Sequence, residues 1–304
     1  MKIGSIALAI VCAAACGNSK EGPSPGPPPG DGVQLITAGS EPRRVLRYHV
    51  AKGTTSAVEL ALDVDIDAAG QGGPLPTLVM TSELVADEVL PDGSMKMHTS
   101  IGEVSARERP GSPVTAEQMA EQTRMMSGLV IRGTLSPDGS LREMKVDTGG
   151  RVLPPGITAQ LETLSKSFEQ VAMPLPTVPI GPGASWIHKR HVTQNGMTML
   201  TATTFSLSSI EGDVLTFQSA TAVSGKDQTV TQAGESIDMK NVTGTGAGKG
   251  TVDLSRMTMT GELSAELAAD MSAEGETTHM VMKMVTRIAP APAKAPAPEV
   301  PRIP

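Results

Sequence analysis

The sequence predicts a mainly β protein, α+β in class: a large curved antiparallel sheet or half-barrel carrying one or two amphipathic helices. Three observations predict it. Apolar residues recur at every second position through most of the chain from residue 43 to residue 288, the period of a strand with one buried face. Turn sequences punctuate these runs, among them Pro-Asp-Gly-Ser twice, Asn-Gly and Gly-Asp. Helical spacing appears in two short stretches, 115–126 and 157–172.

At the N-terminus, Met1-Lys2 supplies one positive charge and Ile3–Val11 an apolar run of nine residues. A helix needs roughly 20 residues to cross a bilayer, so this run reads as a signal peptide. It ends in Ala13-Ala14-Ala15-Cys16, which resembles the lipobox of bacterial lipoproteins, with Ala13 where that family usually has Leu. The resemblance implies cleavage after residue 15 and acylation of Cys16 by palmitate-like chains. With Gly17 rather than Asp next, it also implies an outer-membrane anchor facing the periplasm or the cell surface. Several acyl chains on one residue would hold the protein permanently, because each buried CH₂ contributes about 0.8 kcal/mol. Residues 16–42 are then the lipidated Cys and a Pro/Gly-rich tether.

The N-terminal β half is expected over 43–150. Val58, Leu60, Leu62, Val64 and Ile66 alternate with polar or small residues. Strands over 77–89 and 94–107 flank Pro91-Asp92-Gly93-Ser94, and a second hairpin, 128–135 with 141–147, turns at Pro137-Asp138-Gly139-Ser140. Between them Thr115 is placed to N-cap a helix that runs to Met126. A connector over 151–183 holds the second helix, 157–172, which Pro174, Pro176 and Pro179 prevent from continuing. The C-terminal β half, 184–288, opens with a hairpin at Asn195-Gly196 and a further strand over 214–224. It ends with a fifteen-residue alternation from Met257 to Met271, bent at Gly261, and a strand over 276–288. The tail, 289–304, is Pro/Ala-rich and expected to be disordered.

Composition narrows function. The net charge is −7 and no basic patch stands out, so nucleic acid is not an expected partner. Both cysteines lie in the first sixteen residues, so no disulfide and no cysteine nucleophile is expected beyond them. No Gly-x-Ser-x-Gly or Ser-x-x-Lys motif occurs, and the chain is read as non-enzymatic, with no catalytic residues and no cofactor. Asp63, Asp65 and Asp67 lack the Gly and the bidentate acid of a calcium loop and read as a solvated strand face. Gly244–Thr251 departs from the phosphate-loop pattern and reads as a flexible turn. His188 and His191, three apart on a strand, point to opposite faces and cannot share a metal. Among 304 residues there are five aromatics and 18 methionines, so methionine is expected to fill a soft, adaptable interior.

Pro176-Thr-Val-Pro179-Ile-Gly181-Pro-Gly-Ala-Ser185-Trp186, between a helix and a strand, resembles a segment of a group of bacterial lipoproteins with no assigned activity. The resemblance spans about residues 43–288. In architecture, a long curved sheet with short helices also resembles the periplasmic lipoprotein-carrier fold, whose concave apolar face holds acyl chains; fold alone does not settle function.

The leading expectation is therefore a membrane-anchored envelope lipoprotein that binds an apolar ligand or an envelope protein. The face expected to do so comprises Met257, Met259, Leu263, Leu267, Met280, Met282 and Met284. Two alternatives stand beside it. Met95, Met97 and His98 with His279, Met280, Met282 and Met284 suit a Cu(I)-binding envelope protein. The Pro/Ala tail suits a structural envelope scaffold.

Overall fold

A computed structural model describes residues 31–150, 172–194, 196–232, 235–273 and 275–292. Cys16, all but the last residue of the helix expected over 157–172, and the tail beyond residue 292 lie outside the described residues.

The protein is mainly β, one large antiparallel sheet that does not close into a barrel. Its strands are β1 (Gly32–Thr37), β2 (Thr55–Ala68), β3 (Gln71–Pro74), β4 (Thr77–Val89), β5 (Met95–Arg107), β6 (Val130–Leu135) and β7 (Leu141–Asp147). They continue with β8 (Ser185–Gln194), β9 (Met197–Glu211), β10 (Val214–Gly225), β11 (Gln228–Gln232), β12 (Glu235–Asp253), β13 (Thr258–Ala273) and β14 (Glu276–Pro290). The strand order is β1-β8-β9-β10-β12-β13-β14-β2-β4-β5-β6-β7, with β11 beside β12 and β3 beside β2. The two halves of the sequence therefore share one sheet, joined where β14 pairs with β2 from Met280↔Ala68 to Pro290↔Val58.

The expected hairpins form where their turn chemistry places them. In both Pro-Asp-Gly-Ser turns the Asp carboxylate accepts a hydrogen bond from the Ser N–H, Ser94 to Asp92 at 2.9 Å and Ser140 to Asp138 at 3.0 Å. Gly93 and Gly139 supply the positive φ that these turns require, 81° and 87°. The helix α1 (Ala116–Thr123) has Thr115 as N-cap in a full capping box with Gln118, and a 3₁₀ turn over Arg124–Met126 completes the predicted span.

The structure corrects three expectations. The tether, drawn to residue 42, is shorter than expected: Gly32–Thr37 pairs with β8, with Leu35 opposite Trp186 and packed against the buried core, while Val33, opposite His188, stays exposed. Gly244–Thr251 is the middle of β12, a nineteen-residue strand, rather than a turn. Gly244, Gly246, Gly248 and Gly250 alternate on one face, where their neighbours leave no room for a side chain. A Cβ on Gly248 would lie 2.5 Å from both Leu263 Cδ2 and Ser219 Oγ. At its lower end Gly250 faces Gly261, whose φ of 149° bends β13 at the predicted place. The third correction is at Met257, expected to open a strand. It lies in the turn before β13 with φ of 56°, a left-handed conformation that costs an ordinary residue roughly 1–2 kcal/mol.

Strong curvature follows from which residues meet. One buried core contains Met97 and Leu135 of β5 and β6 together with Trp186, Leu207, Phe217 and Val252 of β8 to β12. In a flat sheet β6 and β8, nine places apart in the order, would be separated by roughly 43 Å. The glycine row of β12 sits on the concave side, as a tight bend requires. Two extended segments close one end of the trough. Arg44 and Ile180 exchange backbone hydrogen bonds, and the same segment reaches Pro137 through the Tyr48 N–H at 2.9 Å and Leu254 through the His49 N–H at 3.1 Å.

Candidate functional site

The cross-strand register divides the concave face into rows. One row runs Trp186, Phe205, Ser219, Gly248, Leu263, Thr286 and Leu62 from β8 to β2. The next toward the closed end passes through Phe217, Gly250, Gly261, Ile288, Leu60 and Met80. Away from the hairpin tips, the inward positions of β2, β4, β5, β9, β10, β12, β13 and β14 carry no ionisable group among the described residues. Charges alternate to the outside, where Arg287 lies 2.7 Å from Asp63 and 3.0 Å from Glu262.

Aromatic residues gather at the closed end. Trp186 is fully buried, stacks on Phe205 at 5.6 Å and donates its indole N–H to the Pro174 carbonyl at 2.8 Å. Phe205 meets Phe217 edge-on at 6.2 Å. Tyr48 donates its hydroxyl to the Met173 carbonyl at 3.2 Å. Burial raises the Tyr48 pKa far above its ordinary value, and the Met173 hydrogen bond opposes this only weakly.

Beside this aromatic group lies a cavity of about 140 Å³. Six of its eighteen lining residues are methionines: Met80, Met97, Met144, Met173, Met257 and Met259. Leucine, valine and isoleucine make up most of the rest, and the polar groups that reach it are the hydroxyl residues Tyr48, Ser56, Ser82 and Thr99. A second cavity, of about 270 Å³, shares Leu141 and Ala172 with the first and is lined by His188, Arg190, Thr203 and Phe205 among others. Burial, reinforced by the charge of Arg190, holds the His188 pKa below its usual value, while Asp31 acts weakly in the opposite sense.

The structure separates the residues expected to form one apolar face. Met257 and Met259 line the apolar cavity. Leu263 lies half-buried at mid-face, its Cδ2 leaning over Gly248. Leu267 packs near the other end against the core of Met199, Val230, Ile237, Met239, Val242 and Ala269. Met280 is buried there too, paired with Ala269 and Ala68. Met282 and Met284 pack against Val64, Ile66, Leu75 and Met119, the last brought by α1. The remaining cavity methionines come from β4, β5, β7 and the Pro-rich connector. Of these, Met97 belonged to the copper pattern and Met80, Met144 and Met173 to none. Their alternation along separate strands was legible, but their meeting was not.

The histidines stand apart from the thioethers. His98 lies on the outer face beside Asp87 at 2.8 Å, whereas Met95 and Met97 point inward and are buried. His279 lies beside Asp270 at 2.7 Å, opposite in facing to Met280, Met282 and Met284. No group of three or more His, Cys, Asp or Glu placed to hold a metal occurs among the described residues. His188 and His191 face opposite ways, as their spacing requires. Asp63 contacts Thr77 and Arg287, Asp65 contacts Arg109 at 2.9 Å, and Asp67 accepts the Gly70 N–H at 2.7 Å. The three carboxylates thus serve separate partners.

The model of a family of unknown function (DUF6263) matches residues 159–258. The matched span takes in the Pro176–Trp186 segment and β8 to β12, so it covers one flank of both cavities. No curated protein matches the chain.

Proposed function

We propose that this protein is a non-enzymatic envelope lipoprotein, anchored to the outer membrane through acylated Cys16, that binds a small apolar molecule or the apolar part of a larger one inside its curved sheet. The observation that carries the binding is the methionine-lined cavity of about 140 Å³. An apolar cavity of this size stays dry and accepts a group as large as benzene. Unbranched thioether side chains re-pack around guests of different shape, which suits a site of broad acceptance. The anchor rests on the lipobox-like Ala13–Cys16 segment.

The test uses the full chain with Cys16→Ser, purified without detergent. An environment-sensitive apolar dye is expected to bind one site per chain, and mass spectrometry is expected to find co-purified lipid. Ser82→Phe places a ring in the cavity from β4 and should abolish dye binding without lowering the melting temperature. A dye-silent, lipid-free protein removes the proposal. For the anchor, the wild-type chain should yield a mature N-terminus at acylated Cys16 in the membrane fraction.

A further inference from the structure

We infer that the molecule bound in the methionine-lined cavity is uncharged and carries a carbonyl oxygen, that of a ketone or an ester, which the hydroxyls of Ser82 and Thr99 hold by hydrogen bonds. The inference rests on the apolar site proposed above and adds the one polar function of its ligand.

Three observations carry it. The first is the state of the four hydroxyl residues that line the cavity. Two are already engaged: Tyr48 donates to the Met173 carbonyl, and Ser56 donates to the Arg256 carbonyl at 2.8 Å and accepts from Thr258 at 2.9 Å. The hydroxyls of Ser82 and Thr99 have no hydrogen-bond partner among the described residues. Ser136 Oγ also lacks one but is fully enclosed, whereas Ser82 and Thr99 open on the cavity. Thr99 is only 6 % exposed, so leaving its donor unpaired carries a desolvation cost that a ligand acceptor recovers. The second observation is placement. Ser82 lies opposite Ile101, and Leu84 opposite Thr99, which makes Ser82 and Thr99 diagonal neighbours on adjacent strands. Diagonal positions are roughly 7–8 Å apart and closer at the side chains, near enough for one oxygen between them to accept from both. A carbonyl oxygen has the two lone pairs this needs. The third observation is charge: among the described residues no Asp, Glu, Lys, Arg or His lines this cavity. A carboxylate or an ammonium would lose its water there without gaining a counter-charge, which costs far more than a hydrogen bond returns. The site therefore selects an apolar body with one neutral acceptor.

Toluene and cyclohexanone are of like size and differ in the oxygen. Each is titrated against the environment-sensitive apolar dye in the full chain with Cys16→Ser, and its affinity is read from dye displacement. Thr99→Val keeps the shape of the side chain and removes its hydroxyl; Ser82→Ala removes the other. Each substitution is expected to weaken cyclohexanone about fivefold and to leave toluene unchanged. Thr99→Ser, which retains a hydroxyl, should retain the ketone affinity. Thr99→Val should not lower the melting temperature of the ligand-free protein, because it breaks no internal hydrogen bond; a drop would show the hydroxyl already engaged within the fold and overturn the inference. Methyl butanoate, run alongside on the same variants, tells an ester from a ketone as the source of the carbonyl. Benzoate should not displace the dye. Displacement by benzoate as strong as by cyclohexanone, or equal effects of the two substitutions on toluene and on both carbonyl compounds, overturns the inference and leaves the apolar site standing. Failure of toluene, of the carbonyl compounds and of the dye alike overturns the apolar site itself.

Discussion

At the scale of single residues, scarcity makes the aromatic side chains informative. Tyr48 is the one tyrosine and Trp186 the one tryptophan, and both lie in the core at the closed end of the trough. The Tyr48 phenol is buried with its proton on the Met173 carbonyl, and burial raises its pKa in the folded protein above the unfolded value. A raised folded pKa leaves stability untouched below the unfolded value of about 10 and erodes it as pH rises beyond that. An ultraviolet titration should therefore show no phenolate at about pH 10.5, where a free tyrosine is mostly ionised. The phenolate signal should appear together with loss of Trp186 emission structure, as the chain unfolds. A normal phenolate curve in a folded chain would place Tyr48 in water and open the cavity it lines. On the outer face the balance runs the other way. Burial raises the Asp63 pKa, but hydrogen bonds from Thr77 and Arg287 outweigh it and hold the carboxyl below its usual value.

At the scale of elements, β12 decides the shape of the sheet. Glycine weakens a strand in isolation, because it loses the most entropy on ordering and packs no side chain. Here four alternating glycines lie where Leu263, Leu267 and Ser219 lean across from the neighbouring strands. A side chain at Gly248 must push Leu263 and Ser219 aside. Gly248→Val is expected to lower stability by about 1–3 kcal/mol, measured by denaturant unfolding. Lys249→Val, one residue on and pointing to solvent between β10 and β13, should change it far less. Equal effects at the two positions would show that the concave face has room to spare. The helix α1 presents a contrasting element: it is eight residues long, closed by its own capping box, and adds a single buried anchor, Met119, to the sheet.

At the scale of the whole molecule, the two halves of the sequence are interlocked. β14 lies between β13 and β2, and the largest core draws Tyr48, Met97 and Leu135 from one half and Trp186, Phe217 and Val252 from the other. Each half has a smaller cluster of its own, Met80, Ile101, Leu129, Ile131 and Met144 in one and Met199, Val230, Ile237, Met239, Val242 and Ala269 in the other, but the largest core needs both. Thermal unfolding should therefore follow one transition, with coincident curves from far-ultraviolet dichroism, Trp186 emission and the Tyr48 near-ultraviolet signal. A fragment of residues 43–150 should remain unfolded by dichroism. A fragment that folds cooperatively, or two resolved transitions, would mean that the β14–β2 pairing contributes little.

The sequence by itself determined the elements whose instructions are local. Alternation marked strands over 77–89 and 94–107, which form as Thr77–Val89 and Met95–Arg107, the Pro-Asp-Gly-Ser turns set their hairpins, and Thr115 with Gln118 started the helix. Even the bend at Gly261 was legible, because a backbone position that only glycine tolerates is a local property. β12 escaped notice for the complementary reason: its inward positions carry no side chains, so the apolar period that reveals a strand is missing from its centre. Tertiary structure alone decided that β14 pairs with β2, and that methionines from four strands and two connecting segments line one cavity beside Arg190. The residues that line it lie up to 240 positions apart, as Tyr48 and Ile288 do. A periodic pattern reports which face of a strand is buried, and only the curvature of the finished sheet brings those faces together around a common space.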